Sequence, residues 1–257
     1  MLLAIDIGNT NTVFAVYKND KLVDFWRFQT IAARAADEYA AFLSQMFNLA
    51  GLQWKDIQDI IICSVVPDAD FPVVKFCKKY LKHEPVFITA KNVGIKAEID
   101  RPEELGADRI VNAAAMRAHY KKAPAIVIDF GTATTFDVIN KKGNYAGGVI
   151  APGINLSIEA LSRAAAKLPK VGVKKPKKVI GTSTVGAIES GIYWGYIGLI
   201  EGTVERISKE MKAKPFVLAT GGLAPLFAND TKTIQAVDET LTLKGILCVY
   251  HTLQKRK

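Results

Sequence analysis

Apolar runs and polar turns follow one another along the first half of the chain in an order that predicts a mixed sheet. A buried first strand is followed by two strands joined through turns, and then by a segment with apolar residues at helical spacing. A continuous apolar run, typical of a strand buried on both faces, comes next. The predicted elements are strands at Leu2–Ile7, Thr12–Tyr17 and Leu22–Phe28, a helix at Asp37–Leu49, a strand at Ile57–Val66, a helix at Phe71–Leu81 and a strand at Pro85–Ile88.

The second half repeats this order. Its predicted elements are strands at Ala125–Asp129, Phe136–Ile139 and Tyr145–Ile150, a helix at Val185–Met211, a strand at Phe216–Ala219 and a helix at Thr242–Leu253. In each half the first strand ends at an aspartate, Asp6 or Asp129, followed by a turn rich in Gly and Thr. Such an internal repeat predicts an α/β fold of two ribonuclease-H-like lobes that face each other across a cleft. We expect the first lobe at residues 1–120, the second at residues 121–257, and the junction near Tyr120–Pro124.

The composition indicates a globular protein of the cytoplasm. Apolar residues make up 49% of the 257 positions, enough for a sizeable core, and no apolar run approaches the ~20 residues of a membrane helix. The apolar start Met1–Ile5 is cut by Asp6 and has no basic leader, so we expect neither a signal peptide nor a membrane partner. The cysteines lack the spacing of a zinc site or a disulfide framework, which predicts core thiols at Cys63, Cys77 and Cys248.

A net charge of +9 and a sequence pI near 9.3 raise the question of a nucleic-acid partner. Much of the excess lies in one stretch that contains two prolines and no aromatic residue. Its lysines are Lys167, Lys170, Lys174, Lys175, Lys177 and Lys178. Proteins that grip single-stranded nucleic acid combine aromatic residues with basic ones. We therefore favour a solvated, mobile loop, with a basic lid that attracts phosphate-bearing substrates as the first alternative and a nucleic-acid patch as the last.

Two turns carry residues suited to a polyphosphate. The first runs from Asp6 to Thr12 and is not a Walker-type loop, because no Gly-Lys-Ser/Thr follows. Gly8 permits close backbone approach, and Asp6 is placed to hold a hydrated Mg²⁺, although an ordinary Asn/Gly hairpin turn has the same features. The second turn, Asp129–Thr135, favours phosphate binding over an ordinary hairpin turn, because two facing carboxylates are costly unless cations bridge them. A triphosphate with its bound metal ion between the two turns would account for both carboxylates.

Two further motifs bear on the reaction. Residues Gly106–Arg109 precede an apolar helical run, which predicts Asp108 at a helix start, where the dipole favours carboxylates. An aspartate beside an arginine suits a kinase acting on an alcohol, since the carboxylate accepts the hydroxyl proton and the guanidinium holds an anionic group. An N-capping aspartate on a solvated face is the alternative. The paired glycines Gly221 and Gly222 follow a strand. Their bare backbone would let a flat ring approach, as in the Gly-Gly turn beside adenosine in actin-like ATPases, but paired glycines are also common in ordinary turns.

Six motifs, in this order, resemble those of type III pantothenate kinases and span most of the chain. They are Asp-x-Gly-Asn-Thr at Asp6, Gly-Ala-Asp-Arg at Gly106, Asp-Phe-Gly-Thr-Ala-Thr-Thr at Asp129, Gly-Gly-x-Ile-x-Pro-Gly at Gly147, Gly-Thr-Ser-Thr at Gly181 with a following Ala-Ile-x-Ser-Gly, and Thr-Gly-Gly-Leu-Ala at Thr220. The resemblance implies the actin-like fold of the acetate-and-sugar-kinase superfamily. It also implies transfer of the γ-phosphate of ATP to the hydroxyl of pantothenate, the first step of coenzyme A biosynthesis.

The resemblance also implies roles for individual residues. The ATP-binding set is Asp6, Ile7, Gly8, Asn9, Thr10, Asn11, Thr12, Val13 and Thr132, and the pantothenate-binding set is Gly106, Ala107, Asp108, Arg109 and Thr184. It makes Asp108 the proton acceptor and Asp129 the ligand of a monovalent cation, potassium or ammonium, beside the Mg²⁺ expected at Asp6. It further implies a homodimer whose substrate site is completed by the neighbouring subunit.

One stretch departs from the family pattern. Before Gly-Ala-Asp-Arg, the family has a Tyr and an Asn where this chain has Ile99 and Arg101, and Ile offers no phenolic hydrogen bond to a substrate. Two other functions stay open from the sequence. A regulatory protein of the same fold would bind DNA through the basic stretch, and a kinase for another small alcohol would keep the same phosphate loops. The presence of both Asp108 and Arg109 favours a kinase over the regulatory protein.

Overall fold

The chain forms two compact units. The computed structural model describes residues 1–165 and 168–255. The first unit combines Met1–His119 with the C-terminal segment that begins at Thr242, and the second unit is Tyr120–Leu241. The sequence prediction placed the boundary near residue 120, where the structure also has it, but assigned the C-terminal segment to the second lobe.

The C-terminal helix, Leu241–Gln254, packs on the helix Ala107–Ala115 of the first unit through a hydrogen bond and a close backbone approach. The Thr242 hydroxyl donates a hydrogen bond to Asn112 Oδ1 (2.9 Å). A Cβ at Gly245 would stand 2.3 Å from the Val111 carbonyl oxygen, so only glycine permits this approach of two helices. The partners are 130 residues apart in the Thr242 contact, which is why no local pattern indicates the unit that the helix joins.

The sheet of the first unit surrounds a central buried strand. Its strands are β1 Leu2–Ile7, β2 Asn11–Lys18, β3 Lys21–Gln29, β4 Asp59–Ser64 and β5 Val86–Phe87. Their order is β3-β2-β1-β4-β5, with antiparallel pairing of β1–β2 and β2–β3 and parallel pairing of β1–β4 and β4–β5. The helices are α1 Ala36–Leu49, α2 Pro67–Phe76 with a π-helical continuation at Cys77–Leu81, and α3 Ala107–Ala115 with a π-helical continuation at Met116–Tyr120; 3₁₀ turns lie at Trp54–Asp56 and Pro102–Glu104.

The core of the first unit lies between the sheet and helices α1 and α2. Phe14, Tyr39 and Phe76 are almost fully buried, and their ring centroids lie 5.7 to 6.3 Å apart. Burying an aromatic side chain contributes about 1.5–3 kcal/mol. This trio therefore attaches α1 and α2 to β2, and with it fixes the strand that follows the first predicted phosphate turn.

The second unit repeats the arrangement, which confirms the predicted internal repeat. Its strands are β6 Ala125–Phe130, β7 Ala133–Ile139, β8 Tyr145–Pro152, β9 Phe216–Thr220 and β10 Ala236–Val237, its helices are α4 Ile154–Ala164, α5 Thr184–Met211 and α6 Ala224–Ala228, and the C-terminal helix is α7. The order β10-β9-β6-β7-β8 has the same antiparallel and parallel pairs at corresponding places. Helix α4 and the two-residue strand β10 were not predicted, although Ile154 and Ile158, both buried, have helical spacing.

The described part of the lysine-rich stretch, residues 168–178, contains no helix or strand. Two of its lysines form ion pairs, Lys174 with Glu189 (2.9 Å) and Lys175 with Asp230. The stretch is therefore attached to its unit at two points, which differs from the fully solvated loop expected from the sequence. Lys167 lies outside the described residues.

The three cysteines are free thiols. Cys63 and Cys77 are buried, as predicted. Cys248 is only partly buried, and its Sγ lies 3.2 Å from Nε2 of His119, so the prediction of a core thiol is wrong at this position. Across residues 1–165 and 168–255, no helix combines the length and the apolar character needed to cross a membrane.

Candidate active site

The two aspartates that precede the predicted phosphate turns occupy equivalent positions. Asp6 is the penultimate residue of β1 and neighbours Cys63 on the parallel strand β4. Asp129 is the penultimate residue of β6 and neighbours Thr220 on the parallel strand β9. Ligands of α/β sheets bind beyond the carboxyl ends of the strands. Both turns therefore lie where a ligand is expected in their own unit.

The turn after β1 presents polar side chains to the outside. The Gly8 N–H donates to the Asn11 carbonyl oxygen (3.0 Å), and a Cβ on Gly8 would approach that oxygen to 3.2 Å. The exposed members of the predicted ATP-binding set in this turn are Asn9, Thr10 and Asn11, and the buried ones are Ile7, Thr12 and Val13. The turn thus divides into a polar tip that a ligand can reach and a buried base that holds it.

Thr30, which directly follows β3, fastens this turn and was not predicted. Its hydroxyl donates to the Gly8 carbonyl oxygen (2.6 Å) and lies 2.9 Å from the Thr12 hydroxyl. Its backbone N–H donates to the Thr10 carbonyl oxygen (2.9 Å). Only the pairing of β2 with β3 brings Thr30 beside the turn, so the strand register was the one available signal.

The equivalent turn of the second unit differs at its buried threonine. Thr134 is the counterpart of Thr12, since Phe130 pairs with Thr134 as Ile7 pairs with Thr12. Both threonines are fully buried. The Thr134 hydroxyl finds no hydrogen-bond partner in the described part of the chain, whereas Thr12 bonds to Thr30. A buried hydroxyl without a partner costs free energy. The two turns therefore follow equivalent strands, but the buried threonine stabilises the first turn and destabilises the second.

Asp108 lies in the first turn of α3, as predicted. The helix begins at Ala107 after the N-cap Gly106, and the Arg109 N–H donates to Asp108 Oδ1 (2.7 Å). A Cβ on Gly106 would stand 2.6 Å from the same oxygen, so the glycine makes room for the carboxylate. Burial raises the pKa of Asp108, against the opposing effect of the neighbouring Arg109.

Asp6 pairs with Cys63 across β1 and β4, and the charge of Asp108 also acts on the Cys63 thiol. Burial raises the pKa of Cys63 well above its usual value, and the charges of Asp6 and Asp108 raise it further. Among the described residues, no group of three or more His, Cys, Asp or Glu side chains could hold a metal ion. Asp6 by itself suits Mg²⁺ bound to a nucleotide, because this ion takes one or two protein carboxylates and completes its octahedron with phosphate oxygens and water.

Two glycine motifs pack against the turn after β6. A Cβ on Gly153 would lie 2.1 Å from the Thr132 carbonyl oxygen, and one on Gly221 would lie 2.7 Å from the Phe130 carbonyl oxygen. Gly221 also has a φ of +87°, which residues with a side chain rarely adopt. These motifs therefore fix the backbone that carries Thr132. A Cβ on Gly222 would meet nothing within 4 Å, and the adenosine contact stays a prediction.

The other residues predicted in the second unit are exposed. Thr132 lies in the turn after β6, and Thr184 is the first residue of α5. The N-cap Ser183 accepts a hydrogen bond from the Gly186 N–H (3.1 Å), which defines this helix start. Together with Asp129, these threonines form the part of the predicted site that belongs to the second unit.

The stretch that departs from the family pattern has no regular structure at Ile99, which is half-buried. Arg101 forms an ion pair with Glu104 (2.8 Å) on the protein surface. The arginine is therefore engaged within its own segment.

Comparison with known proteins identifies the family. A family model described as type III pantothenate kinase matches residues 2–206. The chain belongs to the type III pantothenate kinase family. The type III pantothenate kinase of Paramagnetospirillum magneticum is 55% identical over 252 residues, 97% of this chain and 96% of that one. The type III pantothenate kinase of Rhodospirillum rubrum is 53% identical over 256 residues, 99% of each chain.

Solved structures show the fold of this member of the type III pantothenate kinase family. A Campylobacter jejuni protein described as a Baf family transcriptional activator has a TM-score of 0.63 at 20% identity, over 98% of this chain and 99% of that one. The activator of 2-hydroxyisocaproyl-CoA dehydratase from Clostridium difficile, with bound ADPNP, has a TM-score of 0.55 at 14% identity, over 99% and 96%. The predicted α/β fold of two ribonuclease-H-like, actin-like lobes is confirmed, and identities this low carry nothing about activity.

Proposed function

We propose that the protein transfers the γ-phosphate of ATP to the hydroxyl of pantothenate, giving 4'-phosphopantothenate in the first step of coenzyme A biosynthesis. The observation that carries the proposal is Asp108 at the start of α3, held between Gly106 and the Arg109 N–H in a chain of the type III pantothenate kinase family. An alcohol becomes a phosphate acceptor when a carboxylate takes its proton during transfer.

Asp108 has the properties of such a base. Burial raises its pKa, which brings the carboxylate nearer to the working pH and makes it a better proton acceptor than an exposed aspartate. Arg109 follows on the same helix turn and suits bidentate binding of the pantothenate carboxylate. We also assign Gly106, Ala107 and Thr184 to the binding of pantothenate.

Phosphate binding would fall to the turn between β1 and β2. Its exposed Asn9, Thr10 and Asn11 offer side-chain and backbone donors to phosphate oxygens. We also assign Thr132 to the binding of ATP. The buried Ile7, Thr12 and Val13 would act by holding the turn in shape.

Two cations would accompany the nucleotide. Mg²⁺ at Asp6 and potassium or ammonium at Asp129 would neutralise the charge that phosphoryl transfer spreads over the phosphate oxygens. We expect Asp129→Ala to abolish a potassium dependence of the rate, and Asp6→Ala to raise the Mg²⁺ requirement or remove activity. Titration of both cations with each variant measures this, and wild-type responses in both variants would contradict the assignment.

We also propose a homodimer in the cytoplasm. The reaction consumes ATP, which the cytoplasm supplies. The second unit leaves several large apolar side chains exposed, among them Ile150 (63%), Val179 (63%) and Ile180 (81%), and exposed apolar residues are typical of interfaces between subunits. Sedimentation at micromolar concentration tests the dimer, and a monomer would contradict it.

The deciding experiment is an assay of ATP consumption by the purified protein with pantothenate, with and without potassium. Formation of 4'-phosphopantothenate supports the proposal. ATP consumption with another small alcohol and none with pantothenate would indicate a different kinase. Binding to duplex DNA that weakens steeply with salt and needs no ATP would indicate the regulatory protein instead.

A further inference from the structure

The guanidinium of Arg34 is buried, and the described residues offer no hydrogen-bond partner to two of its nitrogens. Arg34 follows β3 and precedes α1, and only 9% of the residue is exposed. Its Nε and Nη1 atoms have no hydrogen-bond partner among the described residues. The carboxylates nearest in sequence are engaged elsewhere. Glu38 accepts the Ala35 N–H (2.7 Å), and Asp37 is bound to Lys79 (2.8 Å).

Aromatic rings occupy the surroundings instead. The Arg34 guanidinium carbon lies 5.4 Å from the ring centroid of Tyr39 and 5.6 Å from that of Phe42. Cation–π contacts attract the charge but accept no hydrogen bond in the plane of the guanidinium. A buried charge without an anionic partner destabilises a fold, and such local costs are typical of groups that serve a ligand.

Arg34 is connected to the turn between β1 and β2 through a short series of side chains. The Tyr39 ring, over which the Arg34 guanidinium lies, packs against Phe14 with 5.7 Å between the ring centroids. Phe14 lies two residues after Thr12 on β2 and therefore on the same face of the sheet. Thr12 bonds to Thr30 (2.9 Å), and Thr30 donates to the Gly8 carbonyl oxygen (2.6 Å). Thr30 also holds Thr10 at the exposed tip of the turn, so these contacts connect Arg34 with the turn that would hold phosphate.

We propose that Arg34 is a further phosphate-binding residue of the nucleotide site, whose guanidinium donates hydrogen bonds to phosphate oxygens of a nucleotide held by the turn between β1 and β2. The inference rests on the proposed function for the location of the nucleotide. Arginine suits the task because its planar fork matches two phosphate oxygens at once. A nucleotide would supply the acceptors that residues 1–165 and 168–255 do not provide for Nε and Nη1.

The test compares Arg34→Met, which keeps an apolar stem of similar length, with Arg34→Lys and with Arg27→Met, a control at an exposed arginine on β3. Calorimetric titration gives the affinities for a non-hydrolysable ATP analogue, adenosine and inorganic phosphate in the presence of Mg²⁺. Thermal unfolding of each ligand-free variant is measured in parallel. We expect Arg34→Met to bind the analogue about 10- to 100-fold more weakly, with adenosine affinity unchanged. Its unfolding temperature should equal or exceed that of the wild type, because an unpaired buried charge has been removed.

Arg34→Lys should recover part of the affinity, and Arg27→Met should behave as the wild type. The proposal is overturned if Arg34→Met binds the analogue as tightly as the wild type, or if it loses adenosine in equal measure. It is also overturned if inorganic phosphate binding alone depends on Arg34, which would indicate a separate anion site. If Arg34→Met does not fold, the affinity of Arg34→Lys for the ATP analogue decides the question. A wild-type affinity in Arg34→Lys would then indicate that Arg34 serves packing and would overturn the proposal.

The two proposals fail in distinguishable ways. If binding of the analogue depends on Arg34 but the wild-type protein forms no 4'-phosphopantothenate, only the proposed function is overturned. A wild type that phosphorylates pantothenate while Arg34→Met binds the analogue normally overturns the role of Arg34 alone.

Discussion

Replacing Gly106 with alanine tests the role of Asp108 without altering the carboxylate itself. Gly106 has φ −55° and ψ 136°, a conformation open to any residue. Its Cβ would stand 2.6 Å from Asp108 Oδ1, and ordinary contact begins near 3.4 Å, so the carboxylate would have to move by about 0.8 Å. Misplacing a reacting group by about 1 Å costs up to about 100-fold in rate. We therefore expect the kcat for pantothenate phosphorylation to fall by about 10- to 100-fold.

The fold should tolerate this change. Glycine is better than alanine as an N-cap, so the free energy of unfolding should fall by about 1 kcal/mol, which lowers Tm by roughly 2–4 °C in a chain of this size. The KM for ATP should not change, because the turn between β1 and β2 is untouched. Steady-state kinetics and calorimetry would be run beside Gly172→Ala, where a Cβ meets nothing within 4 Å. A Gly106→Ala enzyme with a kcat within about twofold of the wild type would refute the placement of Asp108 at the reacting hydroxyl.

Three other changes follow from the structure. Asp108→Asn should lower kcat by roughly 10²–10⁴-fold. Because burial raises the pKa of Asp108, its charge destabilises the fold as the pH rises through that pKa, so the variant should have a higher Tm than the wild type at pH 7 and lose this advantage in acid. Equal melting curves of the two proteins at both pH values would contradict this. Reversing the exposed Lys177 and Lys178 to Glu should lower kcat/KM at low salt, with little effect at high salt or on kcat, as steering requires; a sequence-dependent complex of the wild type with duplex DNA at physiological salt would argue for the regulatory protein. Thr134→Val should raise the free energy of unfolding by about 1 kcal/mol and Thr12→Val should lower it by about as much, and chemical denaturation that ranks the two variants the other way would disprove the difference between the turns.

The sheets could be predicted from the sequence because their signals are local. β1 and β6 are short apolar runs with an aspartate as the penultimate residue, and the turns after them recur at matching places. The unit that α7 joins could not be predicted, because the contact of Gly245 with Val111 depends on tertiary packing. β10 is two residues long and has no period to detect.

The site was predictable where a motif coincides with a boundary of secondary structure. Asp108 could be placed at a helix start because Gly106 precedes an apolar helical run. Thr30 and Arg34 could not be found in this way, since each is a single residue in a connection and acts through neighbours that only the fold supplies. Asp6 and Asp129 could be matched to each other, but the thiol of Cys63 beside Asp6 follows from strand register alone.

The first unit is closed by a segment from the far end of the chain, and this orders its assembly on the ribosome. Residues Met1–His119 are synthesised about 120 residues ahead of Thr242, an interval of roughly 6–25 s at ordinary elongation rates. The second unit is one uninterrupted segment and is complete in sequence before α7 exists. Two contacts of α7 therefore form late in synthesis. They are the hydrogen bond from the Tyr250 hydroxyl to Asp59 (2.7 Å) and the packing of Gly245 against Val111. A ribosome stalled just before Thr242 would carry a second unit with its whole sequence and a first unit still missing its final helix.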